Sequence, residues 1–126
     1  MTKKKPTYSG GRSDSNHTEW ARKVKVRSGH ACQMCGVRDV YLESHHLNSY
    51  DIHIDERYDI NNGITLCKHH HDSFHSAYGN GNNTKFQFAE YQQIYRLMQK
   101  IAIKRRVEPF IFHVNIDEED IDYINE

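Results

Sequence analysis

The sequence predicts a small α+β domain: a two-stranded antiparallel hairpin followed by a helix, with a further helix on each side. Three observations predict it. Two short β-prone runs, Val40-Tyr41-Leu42-Glu43-Ser44 and Gly63-Ile64-Thr65-Leu66, are separated by a polar stretch and can pair. After the second run the pattern turns helical, because His71 and His75 stand at i and i+4 and share one face. The cysteines make two close pairs, Cys32-x-x-Cys35 and Cys67 with His70 three residues on, the spacing with which one tetrahedral zinc staples two knuckles. With 126 residues and 37% hydrophobic content the chain has room for one modest core, so such a metal would contribute directly to folding.

The elements follow in order. Residues 1–16 are rich in Lys, Ser and Gly, cannot offset their ordering entropy by burial, and read as a flexible basic arm. Thr18 is placed to cap a helix over Glu19 to Ser28, with Trp20 and Val24 one turn apart, Arg22, Lys23, Lys25 and Arg27 facing outward, and Gly29 ending it. Gly36 lets the backbone turn so that amides approach the Cys32 and Cys35 sulfurs. The first strand leads into His45 and His46, and the polar stretch from Asp51 to Ile60 reads as a loop. Gly79-Asn80-Gly81-Asn82-Asn83 breaks the helix that starts after Cys67, and Thr84-Lys85-Phe86-Gln87 opens another as a capping box. Tyr91, Ile94, Met98 and Ile101 form its expected core stripe, and Lys100, Lys104, Arg105 and Arg106 oppose its dipole. Pro109 stops that helix, Phe110-Ile111-Phe112 reads as a last strand, and 109–126 are set apart as a short apolar segment and acidic tail.

A net charge of zero conceals a strong asymmetry. Residues 1–27 carry eight basic side chains against two acidic ones, and residues 117–126 carry six acidic and no basic side chains. A simple polyanion binder is disfavoured by the total, whereas a basic arm and first helix suit a nucleic-acid backbone. The tail reads most simply as a solvating segment. Three cysteines cannot all pair as disulfides, and no signal peptide follows Met1-Thr2-Lys3-Lys4-Lys5-Pro6, which points to an intracellular, cytoplasmic compartment and metal-bound thiolates. Apolar runs such as Ile101-Ala102-Ile103 are far too short for the roughly 20 residues of a membrane span, so no membrane association is expected.

The histidines left over after one tetrahedral site of three cysteines and one histidine need their own account. A His pair at a strand end (His45-His46), an Asn before the second strand (Asn62-Gly63-Ile64-Thr65-Leu66-Cys67) and a His pair on the helix (His71, His75) resemble the HNH, or ββα-metal (His-Me finger), nuclease family. The resemblance covers about Trp20 to Tyr78, with the zinc pairs placed as in zinc-stabilised members, and would make 17–108 the nuclease domain with its flanking helices. His70 stands where those members commonly have a fourth cysteine, and His69 is unassigned. The continuation from Tyr78 to Phe88 looks like that of small phage-encoded members, which implies a homing or packaging-associated role.

That resemblance implies a function and a site. His46 would be the general base that deprotonates the attacking water, as an imidazole titrating near neutrality can. His45, His71 and His75 would hold one divalent cation on the scissile phosphate, leaving 5′-phosphate and 3′-hydroxyl ends. Adjacent strand residues point to opposite faces, so this scheme needs a strand end or bend at His45-His46. Asn62 has two roles open, metal ligand or the amide that orients the base, with the second favoured because His71 and His75 are both present. An imidazole-rich set accepts Mn, Ni, Co or Zn, whereas Mg prefers oxygen ligands. His30, His53 and His113 have no such context. Arg22, Lys23, Lys25 and Arg27 are candidate DNA contacts, and so short a chain is expected to show modest specificity or to rely on a protein partner or a homodimer for it. The alternative is a zinc-stabilised DNA-binding module without cleavage; a protein-interaction domain would show no salt-dependent DNA binding.

Overall fold

In the computed structural model, which describes residues 14–105, three helices accompany one two-stranded antiparallel hairpin, as the α+β reading expects. Arg106, Pro109, the expected strand over 110–112, His113, the acidic tail and most of the basic arm lie outside the described residues. The chain divides into two compact units between Gln87 and Phe88, and the hairpin belongs to the first together with the helix that precedes it and the helix that directly follows it. Among the described residues no helix is long and apolar enough to cross a membrane.

Helix α1 runs over Ser15–Arg27, starting earlier than Thr18 predicts. The cap is Asp14, whose carboxylate accepts from the His17 amide at 2.7 Å, while Thr18 sits inside the first turn and donates its hydroxyl to the Asp14 carbonyl. The end is as expected: Gly29 at φ +66° closes a paired turn, with amides of Gly29 and His30 donating to the carbonyls of Val26 and Lys25. Trp20 and Val24 are buried.

Strand β1 spans Leu42–His46, two residues later than the apolar run suggests, because Val40 and Tyr41 are exposed and it is His45 and His46 that continue the ladder. Strand β2 spans Gly63–Cys67, buried throughout, in the register Leu42 opposite Cys67 and His46 opposite Gly63. Between them the stretch expected to be a plain loop contains two 3₁₀ turns, Ile54–Glu56 and Ile60–Asn62. Helix α2 follows directly over Lys68–Tyr78 and ends at Gly79, φ +87°. Helix α1 lies on one face of the hairpin, where Ser44 donates to the Ala21 carbonyl at 2.7 Å and Ser28 to Thr65 at 2.9 Å; α2 lies toward the other, with Phe74 against the His45 ring.

Helix α3 spans Lys85–Arg105 and begins with the predicted capping box: the Thr84 hydroxyl accepts from the Gln87 amide, and the Gln87 side chain from the Thr84 amide. Its buried positions are Phe88, Tyr91, Tyr95, Ile101 and Ala102. The expected stripe is therefore rotated, since Ile94 is exposed and the larger aromatic rings of Phe88 and Tyr95 take the buried face.

Candidate functional site

The knuckle around Cys32 and Cys35 is built by backbone. Gly36, at φ +78°, donates its amide to the Cys32 carbonyl at 2.7 Å, the Met34 amide points at the Cys32 sulfur at 3.4 Å, and Gln33 fastens the turn to Thr65 of β2 through its own amide and side chain. Cys67 is the cap residue of α2, so the next turn brings His70 back over it. The resulting separations are 4.0 Å between the sulfurs of Cys35 and Cys67, 3.3 Å from Cys67 Sγ to His70 Nδ1, and 3.9 Å from Cys32 Sγ to the same nitrogen. Zinc bonded to sulfur at ~2.3 Å and to nitrogen at ~2.1 Å in a tetrahedron sets its ligands roughly 3.5–3.8 Å apart. Cys32, Cys35, Cys67 and His70 thus fit a structural zinc, with Nδ1 as the imidazole donor.

The electrostatics agree. Burial opposes ionisation of Cys32, but a hydrogen bond from His70 and several backbone amides outweigh it and draw that thiol down to about 6. Cys35 is pushed up to about 12, first by burial and then by the neighbouring Cys32 and Cys67 sulfurs. Without a cation the cluster resists holding several thiolates together; metal binding would displace those protons.

A second donor set is drawn from β1 and α2: the ring nitrogens of His45, His71 and His75 lie within 4.8 Å of one another. His71 and His75 face each other through Nε2 at 3.1 Å. Each is held from behind, His71 Nδ1 by Glu43 at 2.9 Å and His75 Nδ1 by the Gly79 carbonyl at 2.8 Å. A carbonyl or carboxylate only accepts, so each Nδ1 carries the proton and each Nε2 presents its lone pair. Burial also lowers His71 below the ordinary imidazole range, against the opposing pull of Glu43, favouring the neutral ring that a cation requires. The donor set, imidazoles without carboxylate ligands, fits a borderline divalent cation.

His46 is placed differently. It is the last residue of β1, which meets the need for a strand end, and its ring turns to the α1 face, stacked on Trp20 with centroids 3.7 Å apart and planes 12° from parallel. Its Nε2 lies 2.9 Å from the Arg57 carbonyl, which fixes the proton there and leaves Nδ1 as the basic nitrogen of the neutral ring. Trp20 is itself anchored by donating to the Asp59 carbonyl at 2.8 Å.

Asn62 grips the loop that carries these groups. Its amide oxygen accepts from the Asn48 amide at 2.8 Å and its nitrogen donates to the carbonyls of Asn48 and Glu56. Asn48 extends the lock, accepting from the Lys85 amide and donating to Glu56. Both polar ends of the Asn62 side chain are thus engaged by backbone.

His45, His46, His71 and His75 line one cleft of about 470 Å³, together with Lys25 and Glu43. Of the other candidate cationic contacts, Arg22 and Lys23 pair with Glu19 on an exposed face. Arg27 corrects the expectation of an outward-facing side chain: although exposed, its guanidinium donates to the carbonyls of Ile60 and Gly63, tying α1 to the start of β2. His30 and His69 are exposed, and His53 lies 3.3 Å from the Ser49 carbonyl. Sequence reasoning missed Glu43, Asn48 and the Trp20 stack. The position of Glu43, two residues before His45 and so on the same strand face, was the signal for the first.

No curated protein and no solved structure matches the chain. Residues 32–78 match the family model described as HNH endonuclease, a span running from the first knuckle cysteine to the end of α2 and holding both donor sets. Through that segment, the chain is similar to the HNH endonuclease family.

Proposed function

We propose that the chain is a metal-dependent DNA endonuclease that hydrolyses phosphodiester bonds, in a phage homing or packaging-associated role. The observation that carries the reading is the division of labour across one cleft: three imidazoles converge, His71 and His75 with their Nε2 lone pairs presented, while the neighbouring His46 is held apart with its proton on Nε2.

His46 is the general base. Its Nδ1 takes a proton from the attacking water, and the resulting imidazolium keeps its Nε2–H on the Arg57 carbonyl and its charge over the Trp20 face, both of which favour the protonated ring. Asn62 is the orienting residue, fixing Asn48 and Glu56 and hence the loop whose Arg57 carbonyl aims the base. His45, His71 and His75 would hold the divalent ion, Mg, Mn, Ni or Zn, with Glu43 setting the tautomer of His71. That ion, when bound, supplies charge neutralisation at the scissile phosphate and at the leaving 3′ oxygen. Cys32, Cys35, Cys67 and His70 hold the structural zinc.

The test is conversion of supercoiled plasmid by purified protein with Mg, Mn, Ni or no added ion, beside His46→Ala. Wild type should nick or linearise the plasmid only with added metal. His46→Ala should lose about a hundredfold or more in rate, the usual contribution of a general base, while retaining zinc and DNA binding. A folded, zinc-loaded, DNA-binding wild type that cuts with none of the metals would instead favour the binding module.

A further inference from the structure

A second groove, about 430 Å³, adjoins the cleft and shares Lys25 and Tyr41 with it. One wall is the turn after α1, with Gly29 and His30; the other is the segment before β1, with Arg38 and Asp39. The Arg38 guanidinium lies along the first wall, 3.6 Å from where a Cβ on Gly29 would stand. Tyr41 is 70% exposed, although the next residue opens the ladder of β1. The walls are shaped by left-handed backbone at Gly29 (φ +66°), His30 (φ +55°) and Asp39 (φ +60°), and none of these residues belongs to either donor set.

We propose that this groove is a strand-binding subsite, in which Lys25 and Arg38 hold backbone phosphates next to the scissile bond and Tyr41 stacks on an unpaired base. The inference rests on the nuclease reading and narrows its substrate to DNA with a single-stranded segment beside the cut. Two cations against one carboxylate, Asp39, leave the groove positive, which suits phosphates in succession. An exposed aromatic ring beside those cations gains little from a duplex, whose bases stack on each other. A single strand offers the face of every base, and the pairing of a cationic groove with an aromatic platform is what binds one without sequence preference. The shared residues make the path continuous: a strand whose phosphate sits between His46 and the three-imidazole set passes Lys25 and Tyr41 on leaving the cleft.

The test is binding, with the full-length zinc-loaded protein and no further divalent ion, measured by fluorescence anisotropy against a blunt duplex and the same duplex with a single-stranded flank. Wild type should prefer the flanked form by about tenfold, the order that one base–aromatic stack supplies. Tyr41→Ala should abolish that preference and Tyr41→Phe keep it. Arg38→Ala should weaken binding and flatten the dependence of log K on log salt by about one unit, with Arg38→Lys restoring it; zinc content and circular dichroism confirm that each variant is folded. Equal affinity of wild type for both DNAs, or an undiminished preference in Tyr41→Ala, would overturn the subsite. If wild type binds and cuts DNA and the variants match it, the subsite alone falls; if wild type binds neither DNA, the nuclease reading falls with it.

Discussion

Gly63 is where side chains of α1 press close against the hairpin backbone. Its backbone is ordinary extended chain, so its value is spatial: a Cβ there would stand 2.5 Å from Val24 Cγ2 and 2.8 Å from Trp20 Cζ2, both on buried side chains that cannot swing away. Gly63→Ala should therefore destabilise the zinc-loaded protein by about 1–3 kcal/mol, read as a lowered thermal midpoint, and should disturb the Trp20 ring on which His46 stacks. At this scale the sequence was informative where spacing decides. The thiolate cluster with its one imidazole comes together with the residues that spacing selected, and the cluster of three imidazoles with those that the family resemblance implied. It was silent on Trp20 beneath His46 and on Arg27 turned onto carbonyls, because both depend on how α1 crosses the hairpin, a contact between segments far apart in the chain.

Among the elements, the loop between the strands behaves as a locked piece rather than a tether. Asn62→Ala removes three side-chain hydrogen bonds to backbone at Asn48 and Glu56, each worth about 1 kcal/mol and more where a buried group is left unsatisfied. The expected outcome is a slower cleavage rate with unchanged divalent-ion affinity, measured by calorimetry and plasmid cutting; a lost ion affinity in a folded Asn62→Ala protein would put the residue in the ligand set. Element type was readable from the sequence, and boundaries were less so. Helix α1 begins at Ser15 because a short-range cap, Asp14, sits in a stretch whose composition alone reads as an arm. The α3 stripe is rotated because hydrophobicity ranked Ile94 above Tyr95, whereas buried volume favoured the rings.

For the molecule as a whole, the two candidate metal sites are mechanically one problem. Helix α2 carries His70 of the thiolate cluster and, further along the same helix, His71 and His75 of the imidazole cluster. A zinc bound by the thiolate cluster would hold the knuckle and the start of α2 together, and would so set the direction from which His71 and His75 approach His45. Stripping zinc with a strong chelator should abolish the cooperative unfolding transition and, with it, any divalent-ion binding at the imidazole set; Cys35→Ser should do the same. A Cys35→Ser protein that stays folded and zinc-replete would refute the thiolate site. Such a dependence would follow from size, since a small core would leave the fold reliant on a bound metal.

Strand β1 closes on two successive histidines, and only the even–odd alternation of an extended chain separates the ring that faces Phe74 from the ring that faces Trp20. Parity is thus part of the proposed chemistry. An indel of one residue ahead of His45 that preserved the pairing would transpose the two imidazoles, handing the proposed proton acceptor to the proposed cation pocket and the proposed ligand to the indole. A two-residue indel would keep each on its own side. Length in this strand is constrained modulo two, a restriction that no inventory of its side chains would reveal.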